Sequence, residues 1–346
     1  MESRRDFIRK SALGIGGVTS AGLGAKGAAP GEKGEQPGNT PREVWIAALS
    51  QHEIVANGSG EMVSRMLGIM DEIVPLKPDI ICLPELFPFS NIGKRPPLSE
   101  SAEKPVGPVI APFSDFAKKH GCYVICPTYT EENGKYYNAA VLLDRKGNPA
   151  GEYRKMFPTA GEMSRGISPG PAEPPVFETD FGKIGIQICF DSEWIDGWSR
   201  LQRAGAEIVF WPSAYSGGEK LNAFARLFNY YLVSSTRKDS SRILDMTGAD
   251  MVTSGRWEPN WVCAPVNLEK VVIPSWPYYV HFKNIESRYG RNVRITTLHN
   301  EEISIIESLS TDLKVADILE EFEIKSRRIY LQEAEEMHNN HEIKPA

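Results

Sequence analysis

Apolar positions along this chain follow two rhythms that take turns, one close to the period of a strand and one close to that of a helix. "EVWIAALS", from residue 43, reads as a strand. Residues 59 to 74 place Met62, Val63, Met66, Leu67, Met70, Ile73 and Val74 at helical spacing, and "DIICLP" returns to strand. A helix over roughly 109 to 119 precedes the strand "CYVICPTYT", and "YYNAAVLLDRKGNPAGEYRK" reads as a hairpin turning at Asp144 to Asn148. "PVFETDFGKIGIQIC" reads as strand, Asp-Phe-Gly turn and strand. A helix through about 193 to 204, the strand "AEIVFWP" and a helix through about 219 to 233 follow. Near 313 to 336, Leu313, Ile318, Leu319, Phe322, Ile329 and Tyr330 mark a packing or subunit-contact helix.

This order predicts an α/β fold with antiparallel parts. "DIICL", "KIGIQIC" and "EIVFW" are apolar on consecutive positions, so both of their faces are covered. A sheet packed between helices on one side and a second sheet on the other satisfies that demand. No internal repeat is evident and no linker divides the chain after residue 42, which predicts a single large domain over 42–346.

The first 41 residues read differently. Arg4-Arg5-Asp6-Phe7-Ile8, then a Gly-rich apolar stretch from Ala12 to Leu23 and small residues up to Ala29, have the order of a twin-arginine export signal over 1–29. The apolar stretch is shorter than the ~20 residues of a membrane span and is diluted by glycine. Gly14-Ile15-Gly16-Gly17 follows no strand, so it is no nucleotide loop. Residues 30–41, "PGEKGEQPGNTP", form a Pro/Gly-rich linker. The expected protein is therefore periplasmic or otherwise exported, without membrane insertion in its mature form.

Charge narrows the partners. The chain has 39 basic and 45 acidic residues, and loss of residues 1–29 would leave it more acidic still. No basic block lies beyond the N-terminus, which speaks against nucleic acid and for a small-molecule partner. The five cysteines, at 82, 122, 126, 189 and 263, show no paired Cys-x-x-Cys spacing, against a disulfide framework or a zinc ribbon. His338 and His341 lack further ligands, so no metal is expected.

Most of the cysteines suit a buried apolar position. Cys189 differs because it ends a strand and an acidic, Trp-bearing stretch follows at once. Glu85 in "PDIICLPELFPF" and Lys155 in "GEYRKMFPTAGE" likewise lie just past strand ends. Each alone reads as an ordinary loop or surface charge. Together they supply an acid/base, a fixed cation and a nucleophile.

"LPEL", "YRK" and "ICFD", in this order, resemble the nitrilase superfamily, the carbon-nitrogen hydrolases, over residues 43 to about 275. The resemblance implies a four-layer α-β-β-α sandwich, with the remainder as a C-terminal helical extension. It also implies a Glu85-Lys155-Cys189 triad without metal or organic cofactor, and Glu162 as a second glutamate that holds Lys155. Lys155 and the Phe190 backbone N–H would bind the oxyanion, and Trp211, Ser213 and Tyr215 would line the substrate pocket. Phe190-Asp191 stands where nitrilases usually have Trp-Glu, closer to the amidase and N-carbamoyl branches. A small amide or ureido compound is thus the expected substrate, and a homodimer or higher homo-oligomer the expected assembly. An acyltransferase on the same triad, or a non-catalytic exported binding protein, would be the alternatives.

Overall fold

A computed structural model of the chain describes residues 42–342 apart from 104–106, 256 and 258. The export signal and linker expected over 1–29 and 30–41 lie outside the described residues.

Two six-stranded sheets form the body of the fold. The first has the order β12-β1-β2-β3-β4-β5, with β1 Glu43–Leu49, β2 Ile80–Cys82, β3 Tyr123–Glu132, β4 Lys135–Leu143, β5 Pro149–Arg154 and β12 Trp261–Asn267. The second has the order β11-β10-β9-β8-β7-β6, with β6 Val176–Glu178, β7 Lys183–Ile186, β8 Ile208–Ser213, β9 Tyr231–Thr236, β10 Arg242–Leu244 and β11 Asp250–Thr253. In each sheet the three central strands run parallel, β1-β2-β3 in one and β7-β8-β9 in the other, and the outer pairings are antiparallel.

Burial divides into layers. Alternate strand residues such as Ile46, Ile80, Ile125 and Leu142 meet Ile186, Ile208, Phe210 and Val233 in a core between the sheets. The opposite face of the first sheet, with Ile81, Val124 and Leu143, packs on α1 (Ser59–Ile73) and α2 (Ile110–His120). The opposite face of the second, with Val209, Trp211 and Leu232, packs on α4 (Ile195–Arg203) and α5 (Glu219–Phe228). This is the four-layer α-β-β-α arrangement, and strands covered on both faces explain their unbroken apolar runs. Each fully buried aliphatic side chain contributes roughly 1.5–3 kcal/mol.

Two expected helices change. The one read over 219 to 233 stops at Phe228, because Asn229 takes a left-handed conformation (φ 54°) and the chain re-enters as β9. β9 is buried along its whole length, so its apolar residues continued the helical pattern without revealing a change of period. The helix read over 313 to 336 is broken into α7 (Val315–Glu321) and α8 (Arg327–Glu342). The C-terminal part is not purely helical either. A third sheet, β13-β15-β14 (Lys270–Pro274, Ile303–Ser308, Val293–Leu298), packs with α6 (Phe282–Tyr289) and α7 around Ile273, Ile285, Ile306 and Ile318.

Candidate active site

Strand ends from both sheets bring the predicted residues together. Glu85 follows β2, at a turn tightened by the left-handed Leu86 (φ 46°). Lys155 follows β5, and its backbone N–H donates to the Asn138 carbonyl of neighbouring β4 at 2.9 Å. Glu162 lies on the one-turn helix α3 (Ala160–Met163), where Thr159 and Glu162 form a reciprocal capping box. Cys189 opens a 3-10 turn after β7 with φ 45°, a conformation costing a non-glycine residue on the order of 1–3 kcal/mol.

Asp191 holds that turn in place. Its fully buried carboxylate accepts from the Ile188 N–H (2.8 Å), the Phe157 N–H (2.8 Å) and the Tyr153 hydroxyl (2.7 Å). One side chain therefore ties the cysteine turn to the segment bearing Lys155. Burial pushes the Asp191 carboxyl up to about 6, although all three neighbours donate to it. On the other side, Trp211 Nε1 donates to the Cys189 carbonyl at 3.1 Å.

The charged groups interlock away from water. Lys155 Nζ donates to Glu85 Oε1 at 2.9 Å and to Glu162 Oε2 at 2.8 Å, and the lysine is only 1% exposed. Asn138 Nδ2 bridges the same carboxylates, 2.9 Å from Glu85 Oε1 and 2.7 Å from Glu162 Oε1. Arg237, the residue after β9, donates through Nη2 to Glu85 Oε2 at 3.2 Å and through Nη1 to Ser90 Oγ at 2.6 Å. Two cations thus face two carboxylates, the balance a buried cluster requires.

Ionisation follows from this packing. Burial alone would raise Glu85, but Lys155 and Arg237 outweigh it and hold the carboxyl well below its usual range. Burial works to lower Lys155, but Glu85, Cys189 and Glu162 prevail and keep it charged. Cys189 is pushed up to about 12, first by burial and then by Glu85, with Lys155, the Ala214 N–H and the Ser213 hydroxyl opposing. In the resting site Cys189 is a thiol and Glu85 a carboxylate.

The residues expected to line a pocket divide into two kinds. Trp211 and Ser213 are completely buried, bracing Cys189 from beneath and presenting no surface. Tyr215 is half-buried, its hydroxyl 2.8 Å from Ser192 Oγ. The half-buried Phe190 ring meets Trp194 edge-on, and Trp194 stacks on Phe157 with centroids 4.3 Å apart. Sequence reasoning missed Asn138, Arg237 and the role of Asp191. A lone polar residue inside the apolar run "YYNAAVLL" was a readable sign of Asn138, whereas Arg237 was hidden behind the overlong helix.

Residues 46–272 match the model of the family described as carbon-nitrogen hydrolase. The chain belongs to that family. The matched span holds every residue of the candidate site described above, while β14, β15 and α6 to α8 lie beyond it. Beta-ureidopropionase of Arabidopsis thaliana is 30% identical over 51% of this chain and 47% of its own length. Deaminated glutathione amidase of Mus musculus is 31% identical over 51% of this chain and 58% of its own. The chain thus spans about half the length of these curated relatives. An amidase from Nesterenkonia sp. has the same fold, with a TM-score of 0.59 at 18% identity over 68% of this chain and 94% of its own.

Proposed function

We propose that this carbon-nitrogen hydrolase is an exported thiol enzyme that cleaves the C–N bond of a small amide or N-carbamoyl compound. The observation that carries this reading is the buried Glu85-Lys155-Glu162 cluster meeting Cys189 at the strand ends. Glu85 takes the thiol proton as Sγ attacks the carbonyl carbon, and the C=O electron pair moves onto oxygen. Lys155 and the Phe190 N–H stabilise that oxyanion. Collapse breaks the C–N bond, Glu85 returns the proton to the leaving nitrogen, and a thioester remains on Cys189. Water, deprotonated by Glu85, then attacks the thioester; the acid departs and the thiol is restored.

Glu162 and Asn138 support this scheme by position, since together they hold Lys155 and Glu85 without withdrawing the ammonium from the site. Several relatives bear the names of amidases, which favours amides and ureido groups over nitriles. The test is a screen of amides, N-carbamoyl compounds and nitriles for ammonia release by the purified protein, with Cys189→Ala as control. Release that persists in the variant, or turnover of nitriles alone, would overturn this reading.

A further inference from the structure

One feature of the site is unnecessary for the chemistry just described. Glu85 Oε1 already receives Lys155 and Asn138, yet Arg237 adds a second cation through Oε2. A proton acceptor so heavily supplied with donors is a poor base. Something has to relieve Glu85 before Cys189 can give up its proton.

Arg237 is the member of the cluster able to do so. Its side chain is 21% exposed, against 1% for Lys155 and 2% for Glu85. Its contact with Glu85 is a single 3.2 Å bond, and its buried Nε–H has no hydrogen-bond partner among the described residues. A guanidinium presents five N–H donors in a planar fork suited to grip a carboxylate with two parallel bonds, and here much of that fork is unused. The backbone is held in the site, because Arg237 N–H donates to the Ser213 carbonyl at 2.9 Å, beside the groups that touch Cys189.

We propose that Arg237 is the receptor for a carboxylate on the substrate, so that the preferred substrates are small amides or ureido compounds that are themselves anions. This rests on the hydrolase reading of the site. As the substrate carboxylate arrives, Arg237 turns from Glu85 Oε2 to it. The added negative charge and the lost hydrogen bond both raise the proton affinity of Glu85. The base is therefore released by the substrate it serves, and a neutral amide leaves Arg237 on Glu85.

The test compares monoamides of three- to six-carbon dicarboxylic acids with neutral amides in which an isopropyl group replaces the carboxylate. At one chain length or more, the wild type favours the anion by at least about tenfold in kcat/KM, the scale of a charge-assisted contact. In Arg237→Gln that ratio collapses toward one, chiefly through the KM of the anion, and Arg237→Lys retains part of it. A ratio compares two substrates on one protein, so a general loss of fold or of Glu85 geometry cancels. Calorimetric binding of both amides to Cys189→Ala, with and without Arg237→Gln, reads the same preference without turnover. Arg237-dependent anion binding in a protein that hydrolyses no amide would overturn the hydrolase reading alone. An active enzyme that shows no anion preference, or an Arg237→Gln variant that loses both substrates equally, overturns the role of Arg237.

Discussion

Cys189, the proposed nucleophile, is kept protonated by its surroundings, and that has a measurable signature. With its pKa pushed up to about 12 by burial and by Glu85, its alkylation rate should rise close to tenfold per pH unit from 7 to 9. A plateau near neutrality would mean a preformed thiolate. Cys189→Ala should abolish turnover with the fold intact, since it deletes one sulfur and opens little cavity; ammonia release and circular dichroism check both halves. Lys155→Ala and Glu85→Gln should each reduce kcat by about 10²-fold or more, the scale of a lost oxyanion donor or base. Asp191→Asn turns an amide N–H toward donors that need an acceptor. It should cost about 1–3 kcal/mol in urea unfolding, and an unchanged midpoint would remove Asp191 as the clasp of the cysteine turn.

At the scale of elements, what was legible depended on whether the pattern changed where the structure did. The helix 59–74 and the hairpin around Asp144 to Asn148 could be read because polar faces and turn residues bound them. Cys189, Lys155 and Glu85 could be singled out because each stands just past a strand end and their motifs, in this order, resemble those of a known family. β9 could not, since a strand buried on both faces shows no alternation and its helix-like neighbours supplied a false period. Arg237 was lost with it. Asn138 and Arg237 reach the cluster across neighbouring strands, a relation set by pairing and not by spacing along the chain. Asn229 is the boundary the pattern lacked: left-handed, it donates through Nδ2 to the Arg226 carbonyl at 2.7 Å and accepts from Arg327 at 3.0 Å. Asn229→Ala should therefore lower stability by about 1–2 kcal/mol, with Asn229→Gly recovering part of it, as thermal melts would show.

For the whole molecule, the cluster makes stability depend on pH with a definite sign. Glu85 has a folded pKa below its ordinary 4.5, so its stabilising contribution is complete above that value and is lost as pH falls below it. Lys155, raised above its ordinary 10.5, contributes fully below that value and loses its contribution only as pH rises further. Melting temperatures between pH 3 and 6 should fall more steeply toward acid in the wild type than in Glu85→Gln; parallel curves would exclude Glu85 as a source of acid lability. Export, proposed from Arg4-Arg5, belongs to this scale too: Lys-Lys in their place should retain active enzyme in the cytoplasm, which fractionation with an amidase assay reads directly.

The site is divided between the two sheets. Glu85, Asn138 and Lys155 belong to the first, and Cys189 and Arg237 to the second. Beneath them the sheets meet through an apolar layer, stitched near the site by the Ser235 hydroxyl, 2.7 Å from the Leu49 carbonyl and 3.0 Å from that of Cys82. No single loop carries the constellation, so it cannot be transplanted as a loop into another scaffold. Anyone moving this chemistry would have to move the spacing of two β-layers with it, and a designer wishing to tune it could work from the greasy interior, many residues away from any group that meets the substrate.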